Sequence, residues 1–261
     1  MRKRLTLGAT NNIYSIYHWD FPARPHQDNG VKLNKTSPHK LPLAEQAYQR
    51  LFKEIATTKL APGTHLDEKD LVQNLGIGRT PIREALLRLS SEHLIENVPN
   101  KGFSVQPITL QNTKAIFQAL WFFEKAVIDL AVNQDLAEIL AEMARVNQDL
   151  GRAIEADDPW ELVKLNNQFH MAFARCSKNE YIVSALRNVR FGSARLAYLS
   201  YSDAGSQENN LAQHYQAVVG EHQRIIDALG GRDKETLCAI IQKHLQTFQQ
   251  RIVSYLTSLS A

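Results

Sequence analysis

Leu75-Gly76-Ile77-Gly78-Arg79-Thr80-Pro81-Ile82-Arg83-Glu84-Ala85-Leu86 reads as the end of one helix, a tight turn and the start of the next. Gly76 suits the left-handed position that closes a helix. Thr80 is expected to cap the next helix, with Pro81 at its first position, where a missing N–H is harmless. That helix is predicted over 81–94, burying Ile82, Ala85, Leu86 and Leu89. On this reading Arg79 precedes the helix and Arg83 follows one turn later, both facing the same way.

Upstream, Ala47, Leu51, Ile55 and Leu60 recur at helical spacing until Pro62-Gly63 forces a turn. Asp67 is placed to cap a short helix over 67–76 whose Leu71 and Leu75 share a face. Downstream, two short strands are expected, Ile95 to Val98 and Phe103 to Gln106, turning at Pro99-Asn100-Lys101-Gly102. Helix, helix, tight turn, helix and hairpin together make a winged helix-turn-helix. In that arrangement the third helix enters the DNA major groove leading with its N-terminal end. Arg79, Thr80 and Arg83 sit there. An arginine fork pairs with guanine or straddles a phosphate. The residues equally permit plain surface ion pairs between these arginines and Glu84 or Glu68.

Beyond Pro107 the pattern changes. From Thr109 to Ala261 the only proline is Pro159, glycines are few, and long amphipathic stretches follow one another. Helices are predicted over 110–133, 135–156, 158–177, 179–201, 208–230 and 233–258. The fold expected is mainly α: a winged helix-turn-helix over 42–108 and an all-helical bundle over 109–261. Residues 1–41 lack periodicity and read as a basic, poorly ordered tail. Contact of that segment with DNA phosphates is the alternative.

The net charge is +3, and its distribution matters more than its size. Residues 1–41 hold seven Lys/Arg against two Asp/Glu, residues 42–108 eight of each, and the remainder 15 against 17. Affinity for DNA in the middle segment must therefore come from placement of cations. No secretory signal or membrane span is expected, and the two cysteines (Cys176 and Cys238) support no disulfide framework. A cytoplasmic location follows.

Asn166 and His170 lie four residues apart in NNQFH and so share a helix face, while His222 and His244 stand on later helices. Three imidazoles and an oxygen donor suit a divalent ion such as zinc or nickel. By itself the sequence leaves open whether they converge or hydrogen-bond separately within the core.

Two resemblances add to this. The run from Leu75 to Leu86, with Ala61-Pro62-Gly63 before it and Pro99-Asn100-Lys101-Gly102-Phe103 after it, closely resembles the DNA-binding domain of GntR-family regulators. The likeness implies that Arg79 and Arg83 contact operator DNA, that Thr80 meets a phosphate, and that Lys101 and Gly102 of the wing lie by the minor groove. Gly78 stands where the family commonly has Ser. The pattern Asn166-x-x-Phe169-His170, His222, Ala228-Leu229, Gly231-Arg232-Asp233 and His244 resembles the FCD ligand-binding domain of the FadR subfamily. It implies that Asn166, His170, His222 and His244 coordinate a metal. Asn166 replaces a frequent Asp, so weaker binding is expected.

That family often carries an effector-binding Arg where this chain has Leu120, followed by Trp121, Phe122 and Phe123. Arg190 or Arg195 is the candidate substitute cation and Trp121 a candidate contact. The alternatives are surface arginines and aromatic residues serving the core or a dimer face. The expected function is a homodimeric, ligand-responsive regulator on palindromic double-stranded operator DNA, sensing a small organic acid. It is not expected to be an enzyme. The weighed rivals are a metal-dependent hydrolase and a regulator whose metal is purely structural.

Overall fold

The computed structural model describes residues 41–98, 100–156, 158–202 and 211–258. The tail expectation therefore lies outside the described residues, apart from Leu41. The elements run α1 (Leu43–Ala56), β1 (His65–Leu66), α2 (Glu68–Leu75), α3 (Arg79–Ser91), β2 (Ile95–Val98) and β3 (Gly102–Val105). They continue with α4 (Leu110–Ala131), α5 (Ala137–Glu155), α6 (Pro159–Arg175), α7 (Glu180–Gly192), α8 (Ala194–Tyr201), α9 (Leu211–Gly230) and α10 (Lys234–Ser258). The chain is mainly α, with a winged helix-turn-helix followed by a helical bundle.

Local chemistry explains the first half. Asp67 caps α2 by accepting from the N–H groups of Lys69 and Asp70, and Gly76 closes that helix at φ +64°. Helix α3 starts two residues earlier than expected, at Arg79 in place of Pro81. Gly78, extended at φ −63° and ψ 162°, is the N-cap, with no side-chain cap bond. Its carbonyl accepts from Ile82 N–H at 3.2 Å. Thr80 is therefore inside the first turn. Pro81 is tolerated at the third position because first-turn N–H groups have no intrahelical acceptor. This correction puts Arg79 and Arg83 both on the helix, one turn apart.

Two-residue β1 was not anticipated. It is too short for a period of two to register, and it pairs antiparallel with β3, giving the order β1-β3-β2. The wing strands pair Ile95 with Val105 and Val98 with Gly102. Asn100 and Gly102 sit at φ +64° and +79°. A Cβ at Gly102 would lie 3.3 Å from His65 Cε1, so both the backbone and the neighbouring ring favour glycine there.

In the bundle α5 packs on α6 and α9, α10 on α4 and α9, and α4 on α7. Their apolar faces supply one core that includes Leu120, Ile128, Met143, Phe169, Phe173, Ile225 and Ile241. The helix expected over 179–201 is divided in two. Its break falls at Gly192-Ser193, where Ser193 Oγ donates to the Arg190 carbonyl, a pairing that commonly kinks helices. The end of α7 there meets the winged half, since a Cβ on Gly192 would lie 3.6 Å from the Glu92 carbonyl oxygen. Phe52 of α1 completes this junction, its ring 5.6 Å from Phe191 and 6.1 Å from Trp160.

Candidate DNA interface and metal centre

Arg79, Thr80 and Arg83 occupy the exposed N-terminal end of α3, away from the buried Ile82, Ala85, Leu86 and Leu89. Both arginines reach back to one carboxylate. Arg79 Nε donates to Glu68 Oε2 at 2.9 Å and Arg83 NH1 to Glu68 Oε1 at 3.0 Å. Lys101 and Gly102 are exposed at the wing tip, where Lys101 N–H donates to the Val98 carbonyl at 3.0 Å. The five residues thus form two projections of the winged half, a helix end and a hairpin tip, both open to solvent.

The second centre is buried. His170 on α6, His222 on α9 and His244 on α10 converge, with one ligand atom from each lying within 4.8 Å of the others. His170 and His222 are wholly buried and His244 nearly so. His170 Nε2, both ring nitrogens of His222 and Asn166 Oδ1 are buried with no hydrogen-bond partner. Asn166 is one helical turn before His170. Orphaned buried polar atoms are costly, and four in one neighbourhood fit a shared divalent ion. Burial holds the His170 and His222 imidazoles well below their ordinary range, assisted by the neighbouring cations. Both are therefore neutral at pH 7, the state that offers a lone pair.

The surrounding groups orient the rings. His244 Nδ1 is 2.6 Å from Glu221 Oε2, which leaves Nε2 as its free donor. Burial pushes the Glu221 carboxyl up, but the His244 contact together with the charges of Arg224 and Lys243 makes the net shift downward. The His222 ring stacks on Phe169 at 3.7 Å between centroids. His170 Nδ1 accepts from Arg190 at 2.7 Å, while Arg190 also donates to buried Glu124. Glu124 Oε1 stands 3.5 Å from the same ring nitrogen. With Arg190 donating to Nδ1, the hydrogen of a neutral His170 ring sits on Nε2. Offering Nε2 to a metal therefore requires Arg190 to release Nδ1 and the hydrogen to move there, with Glu124 as the acceptor at hand.

Beside this cluster lies a cavity of about 40 Å³. Asn166, Arg190, Glu221 and His244 line one side, and Ser200, Tyr201, His214, Thr247 and Phe248 much of the rest. Of the predicted effector contacts, Arg190 faces this space. Arg195 does not line it. Its guanidinium donates to the Gln106 carbonyl at the exit of the wing, and burial lowers it to about 10. Trp121 packs partly buried against the bundle core, and α4 contributes no residue to the cavity wall. Leu120 is core. His214 and Glu221, neither of them singled out by the sequence, are wall residues, and Glu221 reaches His244 while His214 stands 3.5 Å from Ser200 Oγ. Neither pairing was legible because it joins successive helices whose rotation the sequence does not specify.

His214 also carries a pH signature. Burial, with Arg251 nearby, lowers it to about 4, against 6.5 ordinarily. Above pH 6.5 it is neutral folded or unfolded. As pH falls from 6.5 towards 4 only the unfolded chain gains the proton, so stability is lost across that window, by at most about 3 kcal/mol. Denaturation of His214→Gln in chelator should show a smaller loss between pH 7 and pH 4.5 than the unaltered chain. An equal loss removes His214 from the acid response.

Known proteins agree with this architecture. The FCD domain family matches residues 115–247, and the family described as bacterial regulatory proteins, gntR family, matches residues 43–105. The HTH-type transcriptional repressor RspR of Escherichia coli is 25% identical over 227 residues, 85% of this chain and 92% of that protein. The regulator YdhC of Bacillus subtilis is 25% identical over 205 residues, covering 78% and 86%. The solved structure of E. coli McbR/YncC, 24% identical, superposes with a TM-score of 0.66 over 81% of this chain and 99% of that one, a likeness of fold. Among the described residues no helix is long and apolar enough to cross a membrane. The hydrolase alternative is set aside, because the matched families and relatives are transcription regulators. The chain is a member of the GntR family of transcription regulators, built from a gntR-type DNA-binding domain and an FCD domain.

Proposed function

We propose that the protein is a cytoplasmic homodimer that binds a palindromic operator through Arg79, Thr80, Arg83, Lys101 and Gly102. Its affinity for that operator is set by a small carboxylate effector beside a divalent metal, zinc or nickel. The observation that carries this reading is the convergence of His170, His222 and His244, with unpartnered buried atoms on His170, His222 and Asn166, beside a cavity lined by Asn166, His244 and Arg190. When bound, the ion supplies a fixed positive centre with open positions for an anion. Arg190 adds a cation to the same wall, and Ser200 and Thr247 add hydroxyls. A volume of about 40 Å³ holds about three water-sized positions, which suits a carboxylate with little attached.

Helix α8 supplies a route from this cavity to the DNA-binding half. Its first turn holds Arg195, bonded to the Gln106 carbonyl, and its last two residues, Ser200 and Tyr201, are cavity wall. An effector acts by preferring one placement of α8, and only to the extent of its difference in affinity between placements. A second copy has a natural seat on α4, where exposed Phe122 and Leu130 lie two turns apart with Ala126 between them. The purely structural metal remains the second reading, favoured by the depth of the imidazole cluster.

Fluorescence anisotropy on metal-loaded protein and a duplex recovered by in-vitro selection tests the proposal. Within a panel of two- to four-carbon carboxylates, at least one is expected to change affinity by more than about fivefold, a coupling of at least about 1 kcal/mol. If no member shifts binding while chelation unfolds the bundle, the metal is structural.

A further inference from the structure

We infer that Glu68 is a positioning residue that sets the discrimination between operator and other DNA by holding both recognition arginines. The inference rests on the reading of Arg79 and Arg83 as DNA contacts. Glu68 opens α2 on a fixed post. Asp67 Oδ1 accepts from Lys69 N–H at 2.7 Å and Asp70 N–H at 3.2 Å, locking the first turn. At the other end Arg50 NH1 donates to the Leu75 carbonyl at 3.2 Å and ties α2 to α1. The Glu68 side chain is 16% exposed, while those of Arg79 and Arg83 are 73% and 57% exposed.

Each carboxylate oxygen takes one arginine, and each arginine gives up one N–H. Arg79 is held through Nε, so both terminal nitrogens remain free to meet DNA. Arg83 is held through NH1, which leaves Nε and NH2. Exposed ion pairs add little to stability, so the value of this arrangement lies elsewhere. Two effects follow from it. Long arginine side chains lose much rotamer freedom on docking, and anchoring one N–H of each removes part of that loss beforehand. One carboxylate also cancels one of two positive charges at the helix end. The non-directional attraction to phosphates falls while directed hydrogen bonds to base edges persist.

The test is a salt-dependent titration of the full chain against two duplexes, one recovered by in-vitro selection with this protein and one with that sequence scrambled. Glu68→Gln should bind the scrambled duplex about three- to tenfold more tightly, with a salt slope steeper by about 0.9 for one additional phosphate contact. It should bind the selected duplex no better, so discrimination falls by at least a factor of about three, the lower end of that same gain. Glu68→Asp keeps the charge but cannot span both arginines, so discrimination should fall with the slope unchanged. Glu84→Gln removes the same charge beside Arg83 from a residue that bonds neither arginine, and should raise both affinities alike. Circular dichroism confirms that each variant folds. Unchanged discrimination in both Glu68 variants, with Arg83→Ala weakening operator binding, overturns the role of Glu68 alone. If Arg83→Ala changes neither affinity, the arginine reading falls and takes this inference with it.

Discussion

Alanine in place of His222 is expected to lower the divalent-metal content of the purified protein more than about tenfold. Losing a group that merely orients a ligand typically weakens metal binding about 10- to 100-fold, and loss of a ligand itself is no milder. His222 is the most telling position because both its ring nitrogens are buried without a partner and its ring is clamped against Phe169. No protein hydrogen bond accounts for an imidazole there. His214→Ala is the matched control, since that ring lines the same cavity outside the three-histidine cluster and should leave metal content intact. Elemental analysis of both variants decides the matter. Full metal retention in His222→Ala refutes its role as a ligand.

The largest expected effect on DNA binding belongs to Arg83. Arg83→Ala should weaken operator affinity by about 1–3 kcal/mol, roughly five- to 150-fold, if its fork reads a base edge. Arg79→Ala should act similarly, and the pair should be less than additive because Glu68 joins them. Lys101→Ala provides contrast. Losing a wing lysine that meets a phosphate weakens binding to all duplexes nearly equally and lowers the salt slope by about 0.9. An Arg83→Ala profile that matched Lys101→Ala would assign Arg83 to the backbone instead of the bases. Unchanged affinity in a gel-shift titration removes it from the interface.

Much of this architecture is written in local signals. Asp67 and Gly76 mark the two ends of α2 by mechanisms confined to neighbouring residues, and both act as the sequence predicts. The wing strands were legible because a turn-forming stretch separates two short runs of strand-forming residues. The departures have local causes too. Gly78 lacks a capping side chain, so the sequence favoured Thr80, yet the backbone begins the helix without that bond. Gly192-Ser193 interrupts no hydrophobic period, so the division between α7 and α8 was invisible to pattern reading.

The sites follow the same division. Asn166 and His170 share a helix face by spacing alone, but the approach of His222 and His244 depends on how three helices rotate against one another. Arg190 and Arg195 looked equivalent in sequence. The helix break between them sends one to the cavity and the other to the exit of the wing. Glu124, 66 residues from its partner Arg190, carries no local sign of the pairing. Resemblance to a family named the candidate ligands, and helix packing brings the three histidines together.

Selection of random duplexes by the purified full chain is the most direct test of the central claim. It should enrich a sequence with two-fold symmetry, bound at least about 10³-fold more tightly than its scrambled counterpart. Joint replacement of Arg79 and Arg83 by alanine should abolish the enrichment. Failure to enrich any sequence, or enrichment that survives the double replacement, contradicts the assignment of the α3 leading end as the reading head.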